Sequence, residues 1–217
     1  MKENYQLILD KTLEKIKTAD KKPTLLIHSC CAPCSSYVLE YLSKFFDITV
    51  FYYNPNISPA EEFEKRAKEQ CRLIEEMLPD SGIKTVIADY DANEFFETVK
   101  GLENEPEGGK RCKECFALRL EKTAELAKKQ NFDFFTTTLT ISPHKNAQIL
   151  NETGKEAALK YGVNYLFSDF KKKNGYRRSC ELSEQYGLYR QNYCGCIFSK
   201  IEAQKRENEK SQTKSEE

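Results

Sequence analysis

Seven of the nine cysteines stand in three tight groups. Cys30-Cys31-Ala32-Pro33-Cys34 comes first, Cys112-Lys113-Glu114-Cys115 second and Cys194-Gly195-Cys196 third. Cys71 and Cys180 stand alone, and each reads as a packing residue. Successive side chains of a strand face opposite ways, so two adjacent thiols reach one metal unit only from a turn. Cys34 falls in the first turn of the helix that follows, where free N–H groups and the helix dipole favour thiolate. Cys112 and Cys115 lie one turn apart on one helix face. Four thiolates from these two groups suit a cuboidal iron–sulfur cluster, and they equally suit structural zinc. The third group differs, because one residue separates its thiols. A disulfide there would close a small, strained and easily reduced ring, and Gly195 permits the backbone angles that closure needs. Cys194 and Cys196 therefore read as a redox pair, with metal ligation as the alternative.

Composition narrows the setting. A chain of 217 residues is one domain's length with some to spare. Lys+Arg and Asp+Glu are equal at 34 each, so nucleic-acid contact requires a local patch rather than a global field. No apolar run approaches the roughly 18 residues of a membrane span. Met1-Lys2-Glu3-Asn4-Tyr5 lacks an apolar signal core, which points to the cytoplasm. A thiol-rich chain of this size is better suited to metal or redox chemistry than to a disulfide scaffold.

The elements that must position the thiols alternate. Helices are expected over 3–18, 37–45, 59–77, 91–100, 112–129 and 142–161, and strands over 24–28, 48–53, 83–88, 132–136 and 163–167. Ser58-Pro59-Ala60-Glu61 has the Ser cap, first-turn Pro and Glu of a helix start, and Asp91 with Glu94 repeats the capping pattern. This alternation predicts a mostly parallel, doubly wound α/β sheet in a single domain. Ligands in such sheets bind beyond the carboxyl ends of the strands, and the first cysteine group follows the first strand. Residues 1–21 form an N-terminal helix, 22–199 the α/β domain, and 200–217 a charged tail. That tail has five basic and five acidic side chains and two apolar residues, and is expected to be disordered.

Six motifs are diagnostic together. They are His28-Ser29-Cys30-Cys31-Ala32-Pro33-Cys34, residues 51–57 (Phe-Tyr-Tyr-Asn-Pro-Asn-Ile), Tyr90-Asp91, residues 109–116 around Cys112 and Cys115, Ser142-Pro143-His144, and residues 189–196 ending in Cys194-Gly195-Cys196. In order and spacing, from about residue 22 to 199, they resemble the QueH family of epoxyqueuosine reductases. The resemblance implies a fold of the HUP or PP-loop type. It implies reduction of the epoxide of epoxyqueuosine, at the wobble position of tRNA, to the cyclopentene of queuosine, the last step of that synthesis, without cobalamin. By matching positions, Cys30, Cys31, Cys112 and Cys115 would hold a 4Fe–4S cluster, and Cys194 and Cys196 would be the redox-active pair. The chemistry is consistent: deoxygenation takes two electrons and two protons, a dithiol stores both, and an epoxide oxygen leaves more readily with a Lewis acid. Cys34 and Asp91 are candidate ligands of a second, mononuclear iron, although Asp91 serves equally as a helix cap.

The partners implied are tRNA bearing epoxyqueuosine and an electron donor that the sequence does not specify. Residues 171–190 carry six basic side chains, among them Lys172, Arg177, Arg178 and Arg190, against two acidic ones, with Tyr176, Tyr186 and Tyr189 interleaved. Such a segment suits unstacked anticodon bases and phosphates, although a solvated charged face has the same composition. His144 and Lys145, placed at a helix start, are further phosphate-binding candidates. Three rival readings compete. A PP-loop tRNA-thiolating ATPase needs a Ser/Gly-rich loop where Cys-Cys-Ala-Pro-Cys stands. A zinc-binding structural module leaves the Cys-Gly-Cys pair unexplained, and a thioredoxin-like reductase leaves the doubled cysteine unexplained.

Overall fold

Thr24–His28 forms the central strand because it can be buried on both faces: four of its five residues are solvent-shielded. Such near-continuous apolar strands belong inside parallel sheets. In the computed structural model, which describes residues 3–215 and side chains to 209, five parallel strands lie in the order β3-β2-β1-β4-β5. They are β1 (Thr24–His28), β2 (Asp47–Tyr52), β3 (Lys84–Ile87), β4 (Phe134–Thr137) and β5 (Asn164–Tyr165). In register, His28 stands between Phe51 of β2 and Thr137 of β4. The chain winds outward from β1 in one direction through β2 and β3, and in the other through β4 and β5. The strand order thus reverses between β1 and β4, which is where a doubly wound sheet opens a crevice at its carboxyl edge.

Helices cover both faces. Alternation along β1 sends Leu25 and Ile27 to one side and Leu26 to the other. The first side packs on α1 (Tyr5–Lys17) through Leu9 and Leu13, on α2 (Ala32–Leu42) through Val38, Leu39 and Leu42, and on α3 (Ala60–Met77) through Ile74. The second packs on α5 (Lys110–Lys129) through Phe116, Leu120 and Ala124, and on α6 (Ala147–Tyr161) through Leu150 and Ala157. Between β3 and α5 lies the short α4 (Ala92–Thr98), and the chain ends with α7 (Gly175–Gln185) and α8 (Ile197–Ser215).

Most expected elements are present, with four differences. Pro59 rather than Ser58 occupies the cap of α3. β5 is only two residues long. Residues 142–146 are not helical: a 3-10 turn, Thr138–Ile141, follows β4, and α6 begins only at Ala147 because the Asn146 side chain accepts from the Gln148 N–H. Ser142 instead makes a local turn, accepting from the His144 N–H. Of the tail expected to lack order, residues 200–215 continue as α8, and 216–217 lie outside the described residues. Its one small apolar residue, Ala203, is buried, Glu202 pairs with Arg111 at 3.2 Å, and Arg206 reaches Glu107 at 3.7 Å. These contacts order the first turns of a segment whose composition alone could not. No helix among the described residues is long and apolar enough to cross a membrane.

Candidate functional site

β1 ends at His28, and the chain turns directly into α2 through Ser29, Cys30 and Cys31. Buried polar side chains hold that turn rigid. His28 is fully buried, and burial lowers its pKa to about 3, so the ring is neutral. Its Nε2 faces the Tyr53 carbonyl at 3.1 Å and its Nδ1 the Thr137 hydroxyl at 3.0 Å. The carbonyl can only accept, which fixes the proton on Nε2. Asn54 donates to the Ser29 carbonyl at 2.8 Å, and the Ser29 and Ser35 hydroxyls both reach Gln70 Oε1. Cys31 is the cap residue of α2, and Cys34 lies in its first turn as the spacing predicts. The sulfurs of Cys30, Cys31 and Cys34 all lie within 4.8 Å of one another, with Cys30 and Cys31 3.7 Å apart. Hydrogen bonds from Cys31 and Cys34 hold the Cys30 thiol well below its usual range. The Cys31 thiol is pushed up to about 12, first by its bond to Cys30.

The second cysteine group opens α5, and Gly108 positions its first member. Gly108 adopts φ +89, open to glycine and strained for other residues, and its N–H meets Cys112 Sγ at 3.2 Å. The loop before α5 is clamped by buried Arg111, whose Nη1 donates to the carbonyls of Glu103 at 2.9 Å and Glu105. Burial raises the thiol of Cys112, and that of Cys115 to about 11.

The third group runs between a loop and α8. Its backbone is anchored by other elements. Ser58 N–H donates to the Gly195 carbonyl at 3.0 Å, Arg66 Nη1 to the Cys194 carbonyl at 3.2 Å, and the Ser199 hydroxyl accepts from Cys194 N–H at 2.9 Å. Gly195 has φ +120, and a Cβ there would stand 3.0 Å from Arg66 Nη1 and 3.1 Å from Ile57 Cγ1. The backbone conformation demands glycine, and the space around it is tight. All nine cysteines are free thiols. Burial pushes the Cys196 thiol up to about 12, with Cys194 adding to the effect.

Members of all three groups line two adjoining cavities at the carboxyl edge of the sheet, and among the described residues only Cys30, Cys31 and Cys34 form a group of three or more ligand atoms within 4.8 Å of one another. A cavity of about 610 Å³ is lined by Cys30, Cys31, Cys34 and Cys194. A small adjoining cavity is lined by Cys112, Cys115, Cys194 and Cys196. Cys194 borders both, as does Glu107. Cys30 and Cys31 share an apolar cluster with Phe116, against which Cys112 also packs. Basic groups surround the sulfurs. Burial alone would lower Lys145, but Cys194, Cys30 and Cys34 outweigh it and raise its pKa. Arg119 is similarly raised against burial, by Cys115, Cys194, Cys30 and Cys112. Buried Arg66 pairs with Glu62 at 2.7 Å.

Not every expected site residue joins the crevice. His144, Lys145 and Arg190 line the larger cavity, together with Tyr176 and Tyr193. Arg178 is held by Glu40, at 2.6 and 3.0 Å, and Arg177 by Glu181 at 3.1 Å. Lys172 is exposed and does not line the cavity. Asp91 is exposed and caps α4, accepting from the Asn93 N–H at 2.9 Å. Sequence reasoning missed Arg66, Glu107, Arg119 and Ser199. Only Arg119 carried a readable signal, since it follows Cys112 and Cys115 by seven and four residues on one helix face.

The donor set fits a sulfur-rich anionic group. Thiols supply the ligands, and three buried donors of cavity-lining residues, Arg66 Nη2, Arg111 Nε and Arg119 Nη2, have no acceptor among the described residues. Bridging sulfides are acceptors of the kind these donors lack.

A doubly wound α/β protein with a thiol-lined crevice at its switch point is the class that fold and site define. The model of the family described as epoxyqueuosine reductase QueH matches residues 25–202. Proteins named epoxyqueuosine reductase QueH are similar along most of their length. One from Streptococcus pyogenes is 46% identical over 198 residues, covering 90% of this chain and 78% of the relative. One from Staphylococcus epidermidis is 43% identical over 200 residues, 90% and 84% of the two chains. One from Thermotoga maritima is 37% identical over 192 residues, 86% and 95%. The chain belongs to the QueH family.

Proposed function

We propose that this protein reduces the epoxide of epoxyqueuosine, carried at the wobble position of a tRNA, to the cyclopentene of queuosine. The observation that carries this reading is that three cysteine groups line two adjoining cavities, joined at Cys194, in a member of this family. Cys30, Cys31, Cys112 and Cys115 are the proposed ligands of a 4Fe–4S cluster. Cys34, whose sulfur stands beside those of Cys30 and Cys31, is the proposed ligand of a second iron. Asp91, which caps α4 through Oδ1 and lines neither cavity, would have to reach in from outside to join it. When bound, the cluster supplies one-electron transfer and the second iron Lewis acidity.

The chain's own thiols close the balance. Cys194 and Cys196 together give up two electrons and two protons and become a disulfide. The epoxide takes up both, loses its oxygen as water and leaves an alkene. The external donor then returns the disulfide to two thiols. Neither step calls on cobalamin. Cys194 suits this part because it borders both cavities, one with the three thiols at the β1 edge and one with Cys112, Cys115 and Cys196. Lys145, charged and half-buried at the larger cavity, holds a proton at Nζ beside the site where an oxygen would leave. Tyr176, Tyr193 and exposed Arg190 are the proposed stacking and phosphate contacts for an extruded anticodon base.

The test uses protein purified without oxygen and tRNA carrying epoxyqueuosine, with a chemical reductant supplied. Nucleosides are then resolved by mass spectrometry. The reading expects queuosine to replace epoxyqueuosine over many turnovers, by a protein containing four iron and four sulfide for the cluster. Iron-loaded protein that leaves the epoxide untouched would overturn it.

A further inference from the structure

We infer that Arg119 is the built-in counter-charge of the sulfur centre, a positioning residue that sets the centre's retention and reduction potential. The inference rests on the cluster reading above. Arg119 projects from α5 on the face that carries Cys112 and Cys115. Its side chain is 1% exposed, among the most deeply buried large side chains in the molecule. A guanidinium stays charged at any physiological pH, so this is a full positive charge removed from water. Buried charges are normally paired, because desolvation without a partner is severely unfavourable.

Arg119 has no such partner among the described residues. Its Nε donates to the Cys115 carbonyl at 3.1 Å, one turn back on its own helix. Its Nη2 is buried and bonded to nothing. The other two buried arginines of the crevice each have a carboxylate: Arg66 has Glu62 at 2.7 Å and Arg111 has Glu202 at 3.2 Å. Around Arg119 lie four thiols and one carboxylate, Glu107, which already takes the Ser199 hydroxyl at 3.3 Å and Arg206 at 3.7 Å. It lines the small cavity with Cys112, Cys115, Cys194 and Cys196, and packs against the Phe116 ring at 5.6 Å. The counter-charge missing from the protein is therefore the charge of the thiolates and of the anionic group they hold. A cation at that position stabilises each added electron, so it raises the reduction potential of the centre. It also offsets the mutual repulsion of thiolates drawn together out of water.

Two variants test this in the full-length, iron-loaded protein, read by iron and sulfide content and by a redox titration of the visible absorbance. Arg119→Lys keeps the charge and should retain wild-type iron with a potential near the wild type. Arg119→Gln removes it. At the wild-type midpoint, its ratio of reduced to oxidised centre should fall at least tenfold, a shift of at least about 59 mV to lower potential for one electron. Loss of iron in Arg119→Gln with retention in Arg119→Lys supports the same conclusion. An unchanged potential in an iron-loaded Arg119→Gln, or equal loss of iron from both variants, would overturn it. Wild-type protein that binds no iron would instead sink the cluster reading, which keeps the two failures distinct.

Discussion

The cysteines of the β1–α2 turn and those of the Cys194-Gly195-Cys196 segment meet at Cys194, which lines the cavity of the first set, but are held in different ways. The first set is fixed by topology. It stands at the end of a strand buried on both faces, beside the point where the strand order reverses, braced by His28, Asn54 and Gln70. The second set sits near the end of the chain with no strand beneath it. Contacts from Ser58, Arg66 and Ser199 hold its backbone, and Cys196 is buried beside Phe95, Val99 and Cys115. A rigid turn suits ligands that must not move, because coordination tolerates little displacement. A segment held by side chains rather than by a strand suits a pair whose sulfurs must approach to form a bond and separate again. The difference in mounting thus matches the division of roles proposed for the two sets.

The largest expected effect separates ligands from redox thiols. Cys31→Ala and Cys112→Ala should each lose most of the iron and the brown absorbance, and all turnover with them. Cys194→Ser and Cys196→Ser should keep the iron and the spectrum and lose multiple turnover, since one thiol cannot close a disulfide. Iron retained in Cys112→Ala, or lost in Cys194→Ser, would reverse the assignment.

A smaller effect probes the mounting of the loop. Gly195→Ala imposes a Cβ on a backbone at φ +120 and presses on Arg66 and Ile57. Such strain is worth about 1–3 kcal/mol. Turnover should drop by about tenfold or more with iron content unchanged. Wild-type turnover in Gly195→Ala would mean that the geometry of the loop does not govern its chemistry.

How much of this was legible in sequence follows from how each part is built. The sheet, the placement of Cys30, Cys31 and Cys34 at its edge, and the helical spacing of Cys112 and Cys115 all follow from local patterns, and local patterns were readable. Tertiary pairings were not. Arg66 reaches Cys194 across 128 residues of chain, and Glu202 reaches Arg111 across 91. No local period records such pairs, which is also why the α8 segment resembled a disordered tail. The basic segment shows the same limit in reverse. Its composition marked Arg178 and Arg190 alike, but only the structure gives Arg178 a carboxylate on another helix.

That distinction yields the next effect in size. Arg190→Glu should weaken tRNA binding and flatten its salt dependence by about one phosphate contact. Arg178→Glu should do less, since Glu40 already occupies its guanidinium. Equal losses in both, measured by filter binding across a salt series, would extend the binding face onto α7. The smallest effect belongs to the isolated thiols. Cys71→Ser and Cys180→Ser should keep turnover within roughly tenfold, about 1.4 kcal/mol of barrier.

The proposed roles of the two thiol sets meet in the state of Cys194 and Cys196 after one turnover. Trypsin cleaves after Arg190 and Lys200 and releases both in one peptide, Gln191–Lys200, with no other cysteine. Fully reduced, iron-loaded protein would be freed of external reductant, mixed with tRNA carrying epoxyqueuosine, quenched with an alkylating reagent and digested. The account predicts that this peptide escapes alkylation and loses two hydrogen atoms in proportion to the queuosine formed. Queuosine formed with both thiols still alkylated would contradict it.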